Sequence, residues 1–305
     1  MHKSVLLNES IDNLKLNDDS IIVDCTLGYA GHSSEILKRI PKGFLYAFDQ
    51  DEIAIASSRN RLGNVGLNFE IIKSNFVNLK MELEKRGIKE VDGILFDLGV
   101  SSPQLDEADR GFSFHKDATL DMRMDNSQEL SAKDVVNNYD YASLTRIFRD
   151  YGEEKYASNI AKGIIEARTE KDIVTTLELV EIIKNSVPMK YRRDHHPARK
   201  VFQAIRIEVN DELNVFSSAI RQALDLICVG GRICVITFHS LEDRICKNVF
   251  NEVSKLDKNL AKLPIVPLEY QPKYKVVGNI EPSDSELSKN NRSRSARLRV
   301  IERIR

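Results

Sequence analysis

Apolar positions in the first hundred residues fall into four short runs, each closed by polar or turn-forming residues. The runs 20–26, 44–49, 68–72 and 91–97 are rich in Ile, Val, Leu and Phe and predict buried β-strands. Between them, segments 33–39, 51–61 and 79–85 read as helices, and Pro41-Lys42-Gly43 marks a turn. This β-α alternation with short connections predicts an α/β fold with a parallel sheet and right-handed crossovers.

The alternation then stops. From Leu105 to about Pro197 no strand of comparable quality occurs, and 131–138, 141–148, 153–166 and 176–186 read as helices. The first of these starts well, with Ser131 as N-cap and Asp134 three residues on. The pattern resumes with a helix over about 201–227, a turn at Gly230-Gly231, a fifth strand over 232–238 and a helix over 241–253. Two last strands, 274–277 and 296–301, follow, with coil between them. The second alternates apolar residues with Arg, so one of its faces is expected to meet solvent. The chain thus divides into a first α/β part, 1–104, a helical insertion, 105–200, expected to recognise the substrate, and a second α/β part, 201–305.

Composition narrows the class. Of 305 residues, 42% are hydrophobic, enough for a sizeable core, and the net charge of −1 means that any nucleic-acid contact must come from local basic patches. The four cysteines, Cys25, Cys228, Cys234 and Cys246, form no C-x-x-C pair and no zinc spacing, a usage that fits a reducing cytoplasm. The apolar run after Met1 is too short for a signal peptide, and no stretch approaches membrane-spanning length. No membrane partner is expected, and the oligomeric state is left open.

Candidate chemistry gathers where strands end. Asp97 closes the fourth strand and opens a small polar loop, 98–104, that can lie close to a ligand. A helix N-cap is the competing role for this carboxylate. The first strand leads into Leu27-Gly28-Tyr29-Ala30-Gly31-His32, a G-x-x-G loop rather than the G-x-G-x-x-G of dinucleotide sites. Asp49 ends the second strand about twenty residues on, where an acid holds ribose hydroxyls. Glycine loop, Asp49 and Asp97 together suit a nucleoside cofactor without a pyrophosphate, and S-adenosylmethionine meets that description. Asn75-Phe76 is placed to flank an adenine ring, although Phe76 reads equally well as core.

Several long segments mix apolar residues with charge, unlike either a core or a solvated face. They are Arg110-Gly111-Phe112-Ser113-Phe114, Leu120-Asp121-Met122-Arg123-Met124-Asp125, Tyr151-Gly152-Glu153-Glu154, Phe202-Gln203-Ala204-Ile205-Arg206-Ile207 and Phe238-His239-Ser240-Leu241-Glu242-Asp243-Arg244. With Asp97 to Gln104 they closely resemble the ribosomal RNA small-subunit methyltransferase H family, over essentially the whole chain. That resemblance implies a Rossmann-like class I methyltransferase sheet, mostly parallel with seven strands, and methyl transfer from S-adenosylmethionine to the exocyclic N4 of a cytidine in the decoding region of 16S rRNA. It implies cofactor contacts by Ala30, Gly31, His32, Asp49, Phe76, Asp97 and Gln104. The chain departs from the family in having Tyr29 and Ala30 where glycine is usual, and Arg199-Lys200 where Thr-Arg is common.

Asp97 is the expected catalytic residue, accepting hydrogen bonds from the target amino group. His239, just past the fifth strand, is the second candidate, with a capped helix start (Ser240 as N-cap, Asp243 at N3) as its structural alternative. Phosphate contact is expected from Arg192, Arg193, Arg199, Lys200 and Arg206, and from Arg292 and Arg294, whose run 292–299 carries four Arg and no acid. Alternate arginines on an edge strand are the competing explanation for that run. Asp117, Asp121 and Asp125 lack the spacing of a calcium loop, and no metal is expected. The alternatives are a methyltransferase acting on another RNA, a protein or a small molecule, and a non-catalytic nucleotide-binding module. The basic clusters weigh against protein and small-molecule substrates, and the Asp49, Asp97 and Gln104 set weighs against the module.

Overall fold

Alternate residues of the central strands are buried against two different helical layers. Ile22, Leu45, Leu95, Cys234 and Ile236 pack in one cluster, while Val23, Tyr46, Ile94, Phe96 and Val235 pack in another. That is the period-2 signature of a sheet covered on both sides. The computed structural model describes residues 4–101, 104–105, 107–194, 196–256 and 266–305. Ser102 and Pro103 of the polar loop and His195 of the basic run lie outside these residues. The strands are β1 (Ile21–Asp24), β2 (Phe44–Asp49), β3 (Phe69–Lys73), β4 (Val91–Asp97), β5 (Ile227–Thr237), β6 (Tyr274–Ile280) and β7 (Arg297–Arg303). They form one seven-stranded sheet in the order β3-β2-β1-β4-β5-β7-β6, parallel except for β7, which runs antiparallel to both of its neighbours. This is the Rossmann-like methyltransferase sheet expected.

The first face is covered by α1 (Leu7–Asn13), α2 (Gly31–Arg39) and α3 (Glu52–Gly63), through residues such as Ile11, Ile36 and Leu62. The second is covered by α4 (Leu79–Glu84) and by helices Glu212–Leu226 and Ser240–Ser254, through Leu83, Phe216 and Phe250. The chain divides into two compact units, 1–99 with 213–305, and 100–212. The second unit holds α5 (Ala132–Asn138), α6 (Tyr141–Asp150), α7 (Ala157–Arg168), α8 (Thr176–Asn185), α9 (Met189–Asp194) and α10 (Ala198–Asn210) around its own buried cluster. No helix among the described residues is long and apolar enough to cross a membrane.

Four expectations need correction. The single helix over 201–227 is two, α10 and α11 (Glu212–Leu226), broken at Asp211, whose φ of 47° is left-handed. As a result α10 belongs to the helical unit, where Val201, Phe202, Ala204, Ile205 and Val209 are buried. The unit therefore closes at 212 rather than 200. The turn at Gly230-Gly231 lies inside β5: pairing jumps from Val91–Ile227 to Gly93–Arg232, so the intervening residues bulge, and Gly230 supplies the φ of 87° that this requires. The last strand, β7, is not an edge, and the coil before it contains α13 (Asp284–Lys289). Its arginines do not line a solvent face: Arg299 forms a bidentate pair with Asp243 at 2.6 and 2.8 Å, and Arg297 pairs with Glu281.

Candidate active site

The carboxyl ends of β1, β2 and β4 each carry an aspartate, and the loops of the first unit are tied to these three side chains. Asp24, 1% exposed, accepts from Thr26 N (3.0 Å) and Ser33 Oγ (2.6 Å), and so fixes both ends of the glycine loop. Thr26 Oγ1 in turn accepts from Asp97 N at 2.7 Å. Asp49 Oδ2 accepts from Gly28 N (2.8 Å) and its Oδ1 from Asp51 N (2.9 Å). Burial raises the Asp49 carboxyl from 3.8 to about 7.

The loop itself is tightly set. Ala30 caps α2 with a left-handed backbone, φ 56°, where glycine is the easy residue. Gly31 lies against Ser4, whose hydroxyl would have to turn away from a Cβ placed there, 1.8 Å from its Oγ. His32 is 5% exposed; its Nε2 donates to Val5 O at 3.1 Å and its Nδ1 lies 3.5 Å from Asp97 Oδ2. Leu6 N donates to Glu286 Oε1 of α13 at 2.9 Å. The N-terminal segment and α13 thus brace the loop, a support that nothing in the chain's periodicity announced.

Asp97 is the chemically distinct member. Its Oδ1 is buried and accepts no hydrogen bond among the described residues. Loss of hydration, then the nearby Asp24 and Glu242 carboxylates, push its carboxyl well above the ordinary range. Glu242, 2% exposed, accepts from Phe238 N (2.8 Å) and His239 N (3.3 Å), and His239 Nε2 lies 3.1 Å from Glu242 Oε1. The helix Ser240–Ser254, α12, is therefore capped at His239 with Glu242 at N3, one residue earlier than Ser240 and Asp243. Phe76 meets Phe96 edge-on, with centroids 5.7 Å apart, and is partly buried beside the core while sitting just after β3. Asn75 reaches Gln50 of the β2 end at 2.9 Å.

Gln104 belongs to the second unit, is 8% exposed, and accepts from Ser101 N at 2.9 Å. Of the predicted RNA-contact residues, Arg193, Arg199, Lys200, Arg292 and Arg294 are exposed. Lys200 Nζ donates to Glu153 O, and Arg192 Nε to Val187 O. Arg206 is engaged by Glu212, which clamps its guanidinium at 2.8 and 2.9 Å. Asp121, considered for a metal, is likewise engaged by Arg123 at 2.9 and 2.7 Å. A cavity of about 440 Å³ opens beside Gly31, walled by Ser4, Arg61, Glu286 and Lys289, but Asp49, Phe76 and Asp97 do not line it.

A family model described as the MraW methylase family matches residues 1–304. The chain belongs to the MraW methylase family. A ribosomal RNA small subunit methyltransferase H of Exiguobacterium sibiricum is 56% identical over 306 residues, covering 99% of this chain and 98% of that one. Among solved structures, an rRNA methylase from Streptococcus thermophilus aligns over 100% of this chain and 99% of its own, with 15% identity and a TM-score of 0.46. An S-adenosylmethionine-dependent O-methyltransferase from Thermotoga maritima aligns over 100% and 68%, with 8% identity and a TM-score of 0.44. At this similarity neither structure bears on individual residues. As an MraW methylase the chain is an S-adenosylmethionine-dependent methyltransferase.

The residues present fit that cofactor. A glycine loop fixed by Asp24, a strand-end acid at Asp49 and a carboxylate oxygen at Asp97 with no partner among the described residues form a polar cradle. Its walls are the ends of parallel strands, where such sheets bind ligands.

Proposed function

We propose that this methylase transfers the methyl group of S-adenosylmethionine to the exocyclic N4 of a cytidine in 16S rRNA, on the small ribosomal subunit in the cytoplasm. The observation that carries the catalytic assignment is Asp97 Oδ1, a buried acceptor with nothing to accept among the described residues. The cofactor supplies an electrophilic methyl carbon. Ala30, Gly31 and His32 would hold its amino-acid end, Asp49 its ribose hydroxyls and Phe76 its adenine.

The lone pair of a cytosine amino group is delocalised into the ring. An acceptor at Asp97 Oδ1 would draw on one N–H, favour a tetrahedral nitrogen and stabilise the positive charge that develops there. A carboxyl raised by burial is also a stronger base than a solvated one, so Asp97 holds the proton that the methylated nitrogen releases. His32, oriented by Val5 O and standing 3.5 Å from Asp97 Oδ2, keeps the carboxylate turned towards the site. His239, at the N-cap of α12 with its Nε2 3.1 Å from Glu242 Oε1, is the second candidate group on this rim, for contact with the substrate or its positioning.

The test is nucleoside mass spectrometry of small-subunit rRNA from a strain lacking this protein, complemented with wild type or with Asp97→Ala. Wild type is expected to restore N4-methylated cytidine. Asp97→Ala is expected to leave it at background while the purified variant melts as a folded protein. Full methylation by that variant would overturn the assignment.

A further inference from the structure

In the helical unit, the adjacent rings of Phe114 and His115 meet His196, some eighty residues on, at the surface. Phe114 and His115 lie with centroids 4.3 Å apart, Phe114 and His196 stack at 4.6 Å with 29° between their planes, and the two histidines are 5.4 Å apart. Phe114 is anchored beneath by the edge of Phe202, 5.7 Å away and 3% exposed. The outer members are not core: His115 is exposed, and Phe114 and His196 are half-buried.

The cluster is poorly explained as packing. A filler imidazole is normally hydrogen-bonded through its nitrogens. His196 Nδ1 accepts and donates nothing among the described residues. Arg199 beside it is exposed, and Lys184 lies 3.7 Å from Glu181. Burial, then His115, Lys184 and Arg199, hold the imidazole below its ordinary 6.5, so the ring is neutral at physiological pH while cations flank it. Neutral aromatic faces beside exposed positive charge make the chemistry that single-stranded nucleic acid requires, with π-surface for a base and cations for its phosphates.

We infer that the Phe114–His115–His196 cluster is a stacking site for an unpaired base of the RNA substrate, with Arg199 and Lys184 placed for the flanking phosphates. The inference deepens the reading of the substrate as RNA and rests on it. Its physical sense is that a target base turned out of its helix leaves neighbours unstacked. An aromatic platform gives one of them a new partner and holds the strand open, without selecting among bases, since every base has a π-face.

The experiment uses the full chain and a hairpin RNA of the small-subunit decoding region carrying 2-aminopurine in its loop. Binding is read by anisotropy and stacking by fluorescence quenching. His115→Ala and Phe114→Leu are expected to weaken RNA binding roughly tenfold and to abolish the quench. Calorimetric affinity for S-adenosylmethionine should stay unchanged, which shows that the variants are folded. His115→Tyr, which keeps an aromatic face, should restore both RNA signals. Arg199→Ala should flatten the salt dependence and leave the quench in place. If wild type binds the RNA and both variants bind and quench equally well, the stacking site is refuted and the RNA substrate stands. If wild type does not bind the RNA at all, the substrate reading falls and the stacking site falls with it.

Discussion

Ala30 sits where the backbone is left-handed, φ 56°, and buried. A Cβ in that region costs about 1 kcal/mol relative to glycine. Ala30→Gly is therefore expected to raise the melting temperature by about 3 °C, read by scanning calorimetry, with cofactor affinity kept. Asp49 carries a different strain. Its carboxyl titrates near 7 in the folded protein against 3.8 in the unfolded chain, because burial disfavours the anion. The folded state therefore binds this proton more tightly. The resulting stability is complete below about pH 4 and is lost as pH rises towards 7. Asp49→Asn should remove that loss, with the cofactor-free protein melting about 10 °C higher than wild type at pH 8 and little differently at pH 4. The same variant should bind S-adenosylmethionine more weakly, since an amide accepts at only one of its two atoms. A site built for function at the expense of stability would show both effects together.

Helix starts are where local chemistry and fold agree most closely. Ser131 caps α5 with its side chain on Asp134 N, and Asp134 returns the contact to Ser131 N at 2.9 Å. Ser131→Ala should cost about 1 kcal/mol, visible as a lower denaturant midpoint with an unchanged slope. At α12 the same device was misplaced by one residue, because Ser is the commoner cap than His. The reason lies outside the segment: Asp243 is drawn away by Arg299 of β7, and Glu242 takes the N3 position instead. The break between α10 and α11 has a similar lesson. Apolar spacing continues through Asp211, and only a left-handed residue there allows Phe202 and Phe216 to enter different cores.

Across the whole molecule, charge is arranged by pairing rather than by composition. Arg206, Arg297 and Arg299 are neutralised by Glu212, Glu281 and Asp243, whereas Arg294 stands exposed on the turn before β7. Arg294→Ala is expected to reduce the slope of log K against log salt for decoding-region RNA by about one, with no change in melting temperature, whereas Arg297→Ala should leave the slope as it is. Period-2 runs closed by acids, 3.6-period segments and turn residues are local signals, so the strands, most of the helices, the acids at strand ends and the glycine loop were legible from the chain alone. Resemblance in the long mixed motifs supplied the chemistry. Only the tertiary structure decided that β7 is interior, that Gly230-Gly231 is a bulge, that the insertion ends at 212, and that Asp24, Val5 and Glu286 brace the loop. The interior place of β7, the bulge and the Glu286 brace each depend on a partner far along the chain, and such a contact leaves no period in the sequence to read.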